Sequence, residues 1–364
     1  MLKNREVRMA KVKTDDVGAM LKNARKAAGD FGKFYTPECL GKLLTLLAGK
    51  PGRILDPTCG CGSLLVYAHE ILGDSFYVGQ EISPESCELA RKNLHDNGCD
   101  RHEIICCDTL VEPMGWTEKF DCVLANPPFS VKWDPKACPF DPRFNGVYAP
   151  KSKADLAFVQ HGLYWLKDGG TAAYILPPGA LTRGSSEEAI RALILPYVRA
   201  VISLPEKLFE ETAISTACVI FEKTVSDAPI YFYDASKMIE SLNKKQNVIT
   251  DEQIAEIVDD VRERREIKYK SAVVDRDAIN GLSPNTYIEH EPTKEKSVYD
   301  DWTPIQVLED GEAWAEYTYR FQRQMNAQIR KALGYEFNQE DLDFDVEAIK
   351  PKTYDYHKAQ GHIH

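Results

Sequence analysis

Arg53-Ile54-Leu55-Asp56-Pro57-Thr58-Cys59-Gly60-Cys61-Gly62 passes from a short apolar run into a turn punctuated by two glycines, and a helical pattern follows at once. An apolar run that stops at an acid and a proline predicts a buried strand closed by a tight turn. Gly60 and Gly62 let the backbone turn sharply and come close to a ligand at the helix start. The spacing is not the G-x-G-x-x-G of dinucleotide sites. An acid at the strand end repels a pyrophosphate and attracts an ammonium or sulfonium group.

Outward from this stretch, strand and helix signals alternate. Apolar runs recur at Phe76–Gly79, Ile104–Cys106, Asp121–Leu124, Thr171–Leu176, Val198–Ile202 and Ala217–Phe221, with helical patterns at 38–48, 84–97 and 187–195. Seven strands with helices between them predict an α/β fold with a Rossmann-like, doubly wound, mostly parallel sheet. The last two strands are joined by a loop alone, which predicts an antiparallel terminal hairpin. A chain of 364 residues holds one large α/β domain with appendages, or two domains.

Three further polar groups fall at strand ends. Glu81 closes the second strand, where a carboxylate can take both hydroxyls of a ribose. Asp108 follows the third and can accept from an amino group. The fourth strand runs into Asn126-Pro127-Pro128-Phe129. Two prolines hold the asparagine in an extended turn and leave their own carbonyls free as acceptors. An aromatic ring directly after suits a planar base bearing an exocyclic amine. Alone, the tetrapeptide is equally a proline turn capped by a core phenylalanine, and each acid alone is more often a helix cap or solvated turn than a ligand group. Four such groups at successive strand ends point to a ligand along the carboxyl edge of the sheet.

The net charge is −11, the first 33 residues are basic and residues 291–364 are acidic. A nucleic-acid substrate would therefore draw much of its phosphate contact from another subunit. The ten cysteines form no Cys-x-x-Cys pair, which reads as reduced cytoplasmic thiols and gives no metal site. No run of eighteen apolar residues predicts a membrane span, and the N-terminus lacks the apolar stretch of a signal peptide.

Residues 130–153 carry no clear periodicity. They interleave Trp133, Phe140, Phe144 and Tyr148 with Arg143 and Lys151. Such a loop either meets an extruded base and its phosphates or packs its own rings as a lid. A basic amphipathic helix is expected over 17–29. Trp314, Tyr317, Phe321, Met325, Ile329 and Leu333 recur at helical spacing up to Gly334. That stripe packs on the main domain or docks a partner helix.

With these residues in place, the chain resembles the amino-directed, S-adenosylmethionine-dependent DNA methyltransferases. More closely it resembles the modification subunit of type I restriction-modification systems. The resemblance covers roughly residues 31–290. It includes Phe31-Gly32-Lys33-Phe34-Tyr35-Thr36-Pro37 upstream and Leu176-Pro177-Pro178-Gly179-Ala180-Leu181 with Ile190-Arg191 downstream. Leu204-Pro205-Glu206-Lys207-Leu208-Phe209, with Thr212 and Ile214, completes it. The resemblance implies S-adenosylmethionine as cofactor and N6 of adenine in DNA as acceptor. Phe34, Tyr35, Thr36 and Pro37 would close over the methionine end. Asp56 would meet its amino group, with Thr58, Gly60 and Gly62 shaping the loop. Glu81 would bind the ribose, Ile82 would lie on the adenine, and Asp108 would read its amino group. Asn126 and the Pro127 carbonyl would hold the target amine beside Pro128, with Phe129 on the base.

The implied partners are DNA, a specificity subunit, a second methyltransferase subunit and a restriction subunit. Cytosine N4 and a protein glutamine amide stand as alternative acceptors, and a stand-alone or phage-type enzyme as an alternative setting. Cys61 and Ser63 depart from the family's usual serine and glycine. About 33 residues precede the upstream motif, where the family carries a large helical domain, so an unusual assembly is expected. The expected organisation is a basic helical extension over 1–33 and a catalytic domain over 34–235. A mostly helical segment, 236–290, completes that domain, and an acidic helical segment follows at 291–364.

Overall fold

The computed structural model describes residues 35–112, 116–209, 214–243, 246–291 and 304–359. The helix expected over 17–29, Phe34 and Thr212 lie outside the described residues. The chain divides into two compact units, with the boundary between His290 and Glu291.

The strands of the first unit are β1 (Arg53–Asp56), β2 (Phe76–Glu81), β3 (His102–Cys106), β4 (Phe120–Ala125), β5 (Leu166–Leu176), β6 (Val198–Ser203), β7 (Ala217–Glu222), β8 (Ile230–Asp234), β9 (Glu240–Asn243), β10 (Gln246–Val248) and β11 (Ser271–Val274). Its helices are α1 (Glu38–Ala48), α2 (Ser63–Leu72), α3 (Pro84–Asp96), α4 (Asp155–Trp165), α5 (Pro178–Thr182), α6 (Ser186–Ile194) and α7 (Asp251–Glu263). The main sheet runs β11-β8-β6-β7-β5-β4-β1-β2-β3. Strands β3, β2, β1, β4 and β5 are mutually parallel. β7 inserts antiparallel between β5 and β6, the antiparallel pairing expected of the last two strands.

The sheet has nine strands and not the expected seven, because β8 pairs parallel with β6 and β11 antiparallel with β8. Ile230, Tyr231, Phe232 and Tyr233 are fully buried in that extension; they form an apolar run that would otherwise lie open to water. Segment 236–290, expected as mostly helical, instead carries among its described residues one α-helix, two single-turn 3-10 helices, the β9–β10 hairpin and the edge strand β11.

Successive residues of the central strands enter opposite cores, as the twofold period of a strand dictates. Ile54, Tyr77, Cys122 and Leu124 pack with Leu40, Leu43, Leu44, Leu64 and Leu65 of α1 and α2. Leu55, Val78, Val123 and Ala125 pack with Leu156, Val159 and Leu163 of α4 and with Ile190 and Ile194 of α6. The helix starts are set locally. Ser83 caps α3 by accepting from Ser86 N–H, with Pro84 just inside, and Thr250 with Gln253 forms a capping box on α7.

The second unit holds α8 (Pro304–Ala332), α9 (Gln339–Asp343) and α10 (Tyr354–Ala359). Helix α8 carries the expected stripe and is followed by Gly334 at φ 76°, a left-handed position that suits glycine. Within this unit Trp314 stacks on Tyr354 at 5.8 Å, and its Nε1 donates to Thr353 Oγ1 at 3.0 Å. All ten cysteines are free. Among the described residues no group of three or more His, Cys, Asp or Glu is placed to hold a metal, and no helix is long and apolar enough to cross a membrane.

Candidate active site at the carboxyl edge of the sheet

Strands β4, β1, β2 and β3 are neighbours in that order, and their ends bring Asn126, Asp56, Glu81 and Asp108 into one row. The parallel registers keep the ends level, with Leu55 opposite Val123, Asp56 opposite Gly79 and Glu81 opposite Cys106.

The loop after β1 is held in shape by carboxylates. Asp56 Oδ1 accepts from Thr58 N–H at 3.0 Å. Glu81 Oε2 accepts from Gly60 N–H at 3.0 Å, and its Oε1 accepts from Ser83 N–H at 2.9 Å. Cys59 N–H donates to the Gln80 carbonyl at 2.8 Å, which ties the loop to β2. Gly60 and Gly62 have φ of 52° and 79°, values that an L side chain adopts only with strain. A Cβ on Gly60 would point into open space, whereas one on Gly62 would lie 3.3 Å from Ala90 Cβ of α3. Gly60 thus opens a cradle, and Gly62 permits close packing of the helix behind it. Burial, and after it the nearby charge of Glu81, pushes the Asp56 carboxyl up to about 7, although the Thr58 N–H pulls the other way.

Farther along the row, Asp108 Oδ1 accepts from Leu110 N–H at 3.0 Å, which fixes the turn after β3. The Ile82 side chain stands 59% exposed between these loops, an unused apolar face. On the other flank, the Tyr35 and Tyr67 hydroxyls bond to each other, and buried Thr36 meets the asparagine. Asn126 Nδ2 donates to Thr36 Oγ1 at 3.2 Å. That bond orients the amide, and Asn126, 7% exposed, is left with a buried Oδ1 that has no hydrogen-bond partner among the described residues. Such an oxygen is costly unless a ligand donates to it. Phe129 is half-buried and meets Phe209 edge to face at 5.9 Å.

The six loop residues expected to face nucleic acid part company, and four of them need correction. Trp133 and Phe144 are buried, and their rings pack on each other and on half-buried Tyr148 at 5.2–6.4 Å. Arg143 is 4% exposed. Its guanidinium donates to both Asp141 carboxylate oxygens, to the Thr109 and Leu110 carbonyls and to His161 Nδ1. These acceptors draw the cation inwards and bind the loop to the turn after Asp108. His161 Nε2 then donates to Gln80 Oε1 at 2.9 Å. Burial and the Arg143 charge hold His161 well below its usual pKa, so the ring is neutral. Only Phe140, 98% exposed, and Lys151 stand in solvent.

The fold is the Rossmann-like fold of the S-adenosylmethionine-dependent methyltransferases. Residues 18–296 match the family model described as N-6 DNA Methylase, and the chain belongs to that family. It is 35% identical over 305 residues to the type I restriction enzyme MpnII methylase subunit of Mycoplasma pneumoniae, covering 75% of this chain and 56% of that protein. It is 30% identical to the MjaIX methylase subunit of Methanocaldococcus jannaschii, covering 76% and 54%. The crystal structure of the type I restriction-modification system methyltransferase subunit from Streptococcus thermophilus superposes with a TM-score of 0.67 at 35% identity, covering 71% of this chain and 60% of that one. The chain spans about half the length of the curated relatives it matches.

Proposed function

We propose that the chain transfers a methyl group from S-adenosylmethionine to N6 of adenine in DNA, as the methylase subunit of a type I restriction-modification system. A separate specificity subunit reads the target sequence, and a second methylase subunit and a restriction subunit complete the assembly. The observation that carries this reading is the buried, unpartnered Oδ1 of Asn126, beside the Pro127 carbonyl and the Phe129 ring.

The residues present fit the cofactor. The Glu81 charge raises the cost of ionising Asp56, and a cation beside Asp56 would relieve it. Glu81 uses one acceptor position on each oxygen to hold backbone N–H groups, which leaves the others for two ribose hydroxyls. Asp108 accepts from the adenine amino group and Ile82 covers the ring. Tyr35, Thr36, Pro37 and Thr58 line the methionine end, where Phe34 is also placed by the reading. When bound, the cofactor supplies an electrophilic sulfonium methyl.

On the substrate side, a base inside a duplex cannot reach this edge and must be flipped out. Asn126 Oδ1 and the Pro127 carbonyl accept the two amine hydrogens, Pro128 stiffens the turn and Phe129 stacks on the base. The nitrogen lone pair is thereby aimed along one line, and alignment at near-attack distance supplies much of the rate. Phe140 and Lys151 are the loop groups that meet DNA, with phosphate contacts shared by the partner subunit because this chain carries a net charge of −11.

The test is transfer of labelled methyl groups to DNA by the complex purified with its native partners, followed by nucleoside analysis. Label on N6-methyladenine supports the reading, and label on cytosine N4, on protein, or nowhere refutes it. Asn126→Ala should abolish transfer while calorimetric binding of S-adenosylmethionine survives.

A further inference from the structure

The turn that carries the amine-binding atoms ends in a strained residue. Ser130 directly follows Phe129 and has φ of 54°, a left-handed conformation disfavoured for any residue with a Cβ. Its N–H donates to Asp155 Oδ1 at 2.7 Å. Asp155 is 1% exposed and opens helix α4, where the helix dipole favours a negative charge. Its Oδ2 accepts from Arg183 Nη2 at 2.7 Å. The same guanidinium reaches buried Glu187, with Nε at 2.5 Å from Oε2 and Nη2 at 2.7 Å from Oε1. Arg183 follows α5, which succeeds β5, the strand beside β4. Gly179 makes room for it, since a Cβ there would lie 2.1 Å from Arg183 Nη1. One buried carboxylate therefore joins the exit of the Asn126–Phe129 turn to the loop after the neighbouring strand.

We propose that Asp155 is a positioning residue for methyl transfer. Clamped by Arg183, its carboxylate holds Ser130 in the left-handed conformation and so fixes the Pro127 carbonyl and the Phe129 ring against the target amine. This rests on the functional reading above. Any polar cap would start α4. A charge-held, strained residue directly beyond the binding tetrapeptide instead marks a geometry imposed on that turn. The Ser130 hydroxyl contributes little, since its contact with Lys153 Nζ is long, at 3.5 Å. The conformation therefore depends on the N–H···Oδ1 bond, and glycine can reach it unaided.

The experiment uses the complex purified with its native partner chains, labelled S-adenosylmethionine, and genomic DNA from a host strain lacking this gene, whose target sites are unmodified. Asp155→Asn removes the charge that Arg183 clamps, so the oxygen it keeps is no longer held against Ser130 N–H; the change should lower kcat by about ten- to a hundredfold, with the KM for S-adenosylmethionine unchanged within about twofold. Ser130→Gly alone should leave kcat within about twofold of the unaltered complex. Added to Asp155→Asn, Ser130→Gly should recover about tenfold, because the left-handed conformation no longer opposes a side chain. An unchanged kcat in Asp155→Asn, or a fall that Ser130→Gly does not recover, overturns the positioning role. Should Asp155→Asn not fold, Arg183→Lys loosens the same clamp and is read the same way: a recovered fall supports the role and an unrecovered one overturns it. Absence of transfer by the unaltered complex refutes the functional reading itself, and this proposal with it.

Discussion

Asp56→Asn should make the cofactor-free chain more stable and unable to bind its cofactor. Asp56 is buried, and its carboxyl is pushed from 3.8 up to about 7 by desolvation and by Glu81. A raised carboxyl pKa means that the folded state keeps a proton the unfolded chain has released. Below 3.8 both states are protonated and nothing is lost. Between 3.8 and about 7 stability falls as pH rises, and above about 7 the full penalty is present. A rise of roughly three units, at 1.36 kcal/mol each, amounts to ~4 kcal/mol. Asparagine removes the charge and keeps an oxygen to accept Thr58 N–H, so at pH 8 the variant should be more stable by up to ~4 kcal/mol. Urea unfolding of the cofactor-free chain between pH 4 and pH 8 measures this. The unaltered chain should lose stability across that range more steeply than the variant. A variant no more stable at pH 8, or two parallel pH curves, would refute the account of Asp56 as a buried, repelled acid.

Binding of a cation should force Asp56 to ionise, so S-adenosylmethionine binding at pH 6 should release up to about one proton and at pH 8 almost none; calorimetry in buffers of different ionisation enthalpy reads the difference. Arg143→Ala should destabilise by ~3–5 kcal/mol, because it strands Asp141 in the interior, whereas Lys151→Ala should stay within ~0.5 kcal/mol and weaken DNA binding. Equal melting temperatures for the two variants would show that Arg143 is not structural. Gly162→Ala would place a Cβ 1.8 Å from the Tyr174 hydroxyl and should cost ~1–3 kcal/mol. Tyr174→Phe removes that oxygen and should recover most of the loss in denaturant unfolding, and a loss of the same size in both backgrounds would rule the clash out.

Much of the fold was legible because strands β1 to β7 announce themselves as apolar runs bounded by acids, prolines and glycines. β8 was passed over although Ile230-Tyr231-Phe232-Tyr233 is as apolar as any of them. It follows a pair already expected to close the sheet, and nothing local says whether a further run joins that edge. β11 gives still less: Ser271-Ala272-Val273-Val274 is short, half-buried throughout and paired on one side only. Its strand character comes from the partner, and tertiary context overrides so weak a propensity.

The strand-end groups were legible for a different reason. Where a strand ends fixes where its last polar residue stands, so Asp56, Glu81, Asp108 and Asn126 could be placed in a row before any contact was known. Side-chain direction in a loop has no such rule. Arg143 among aromatics reads as a cation offered to phosphate, and it turns inwards because Asp141, His161 and two carbonyls converge on it, three of those four from distant segments. Asp155 likewise reads as an ordinary first-turn acid, and only Ser130 and Arg183 reveal what it grips.

The row contains two unmet demands, and they differ in kind. Among the described residues, Asp56 has no positively charged partner and Asn126 Oδ1 no hydrogen-bond donor. Under the proposed function, a sulfonium- and ammonium-bearing cofactor would meet the first and a neutral amine the second, from adjacent strands β1 and β4. Neither ligand would satisfy the other's site, since a neutral amine would offer too little charge to Asp56. Each site is costly to the empty fold until its own ligand arrives. Loss of Asn126 should therefore leave cofactor affinity intact, and loss of Asp56 should leave the amine-binding turn, held by Thr36 on one side and Asp155 on the other, in place.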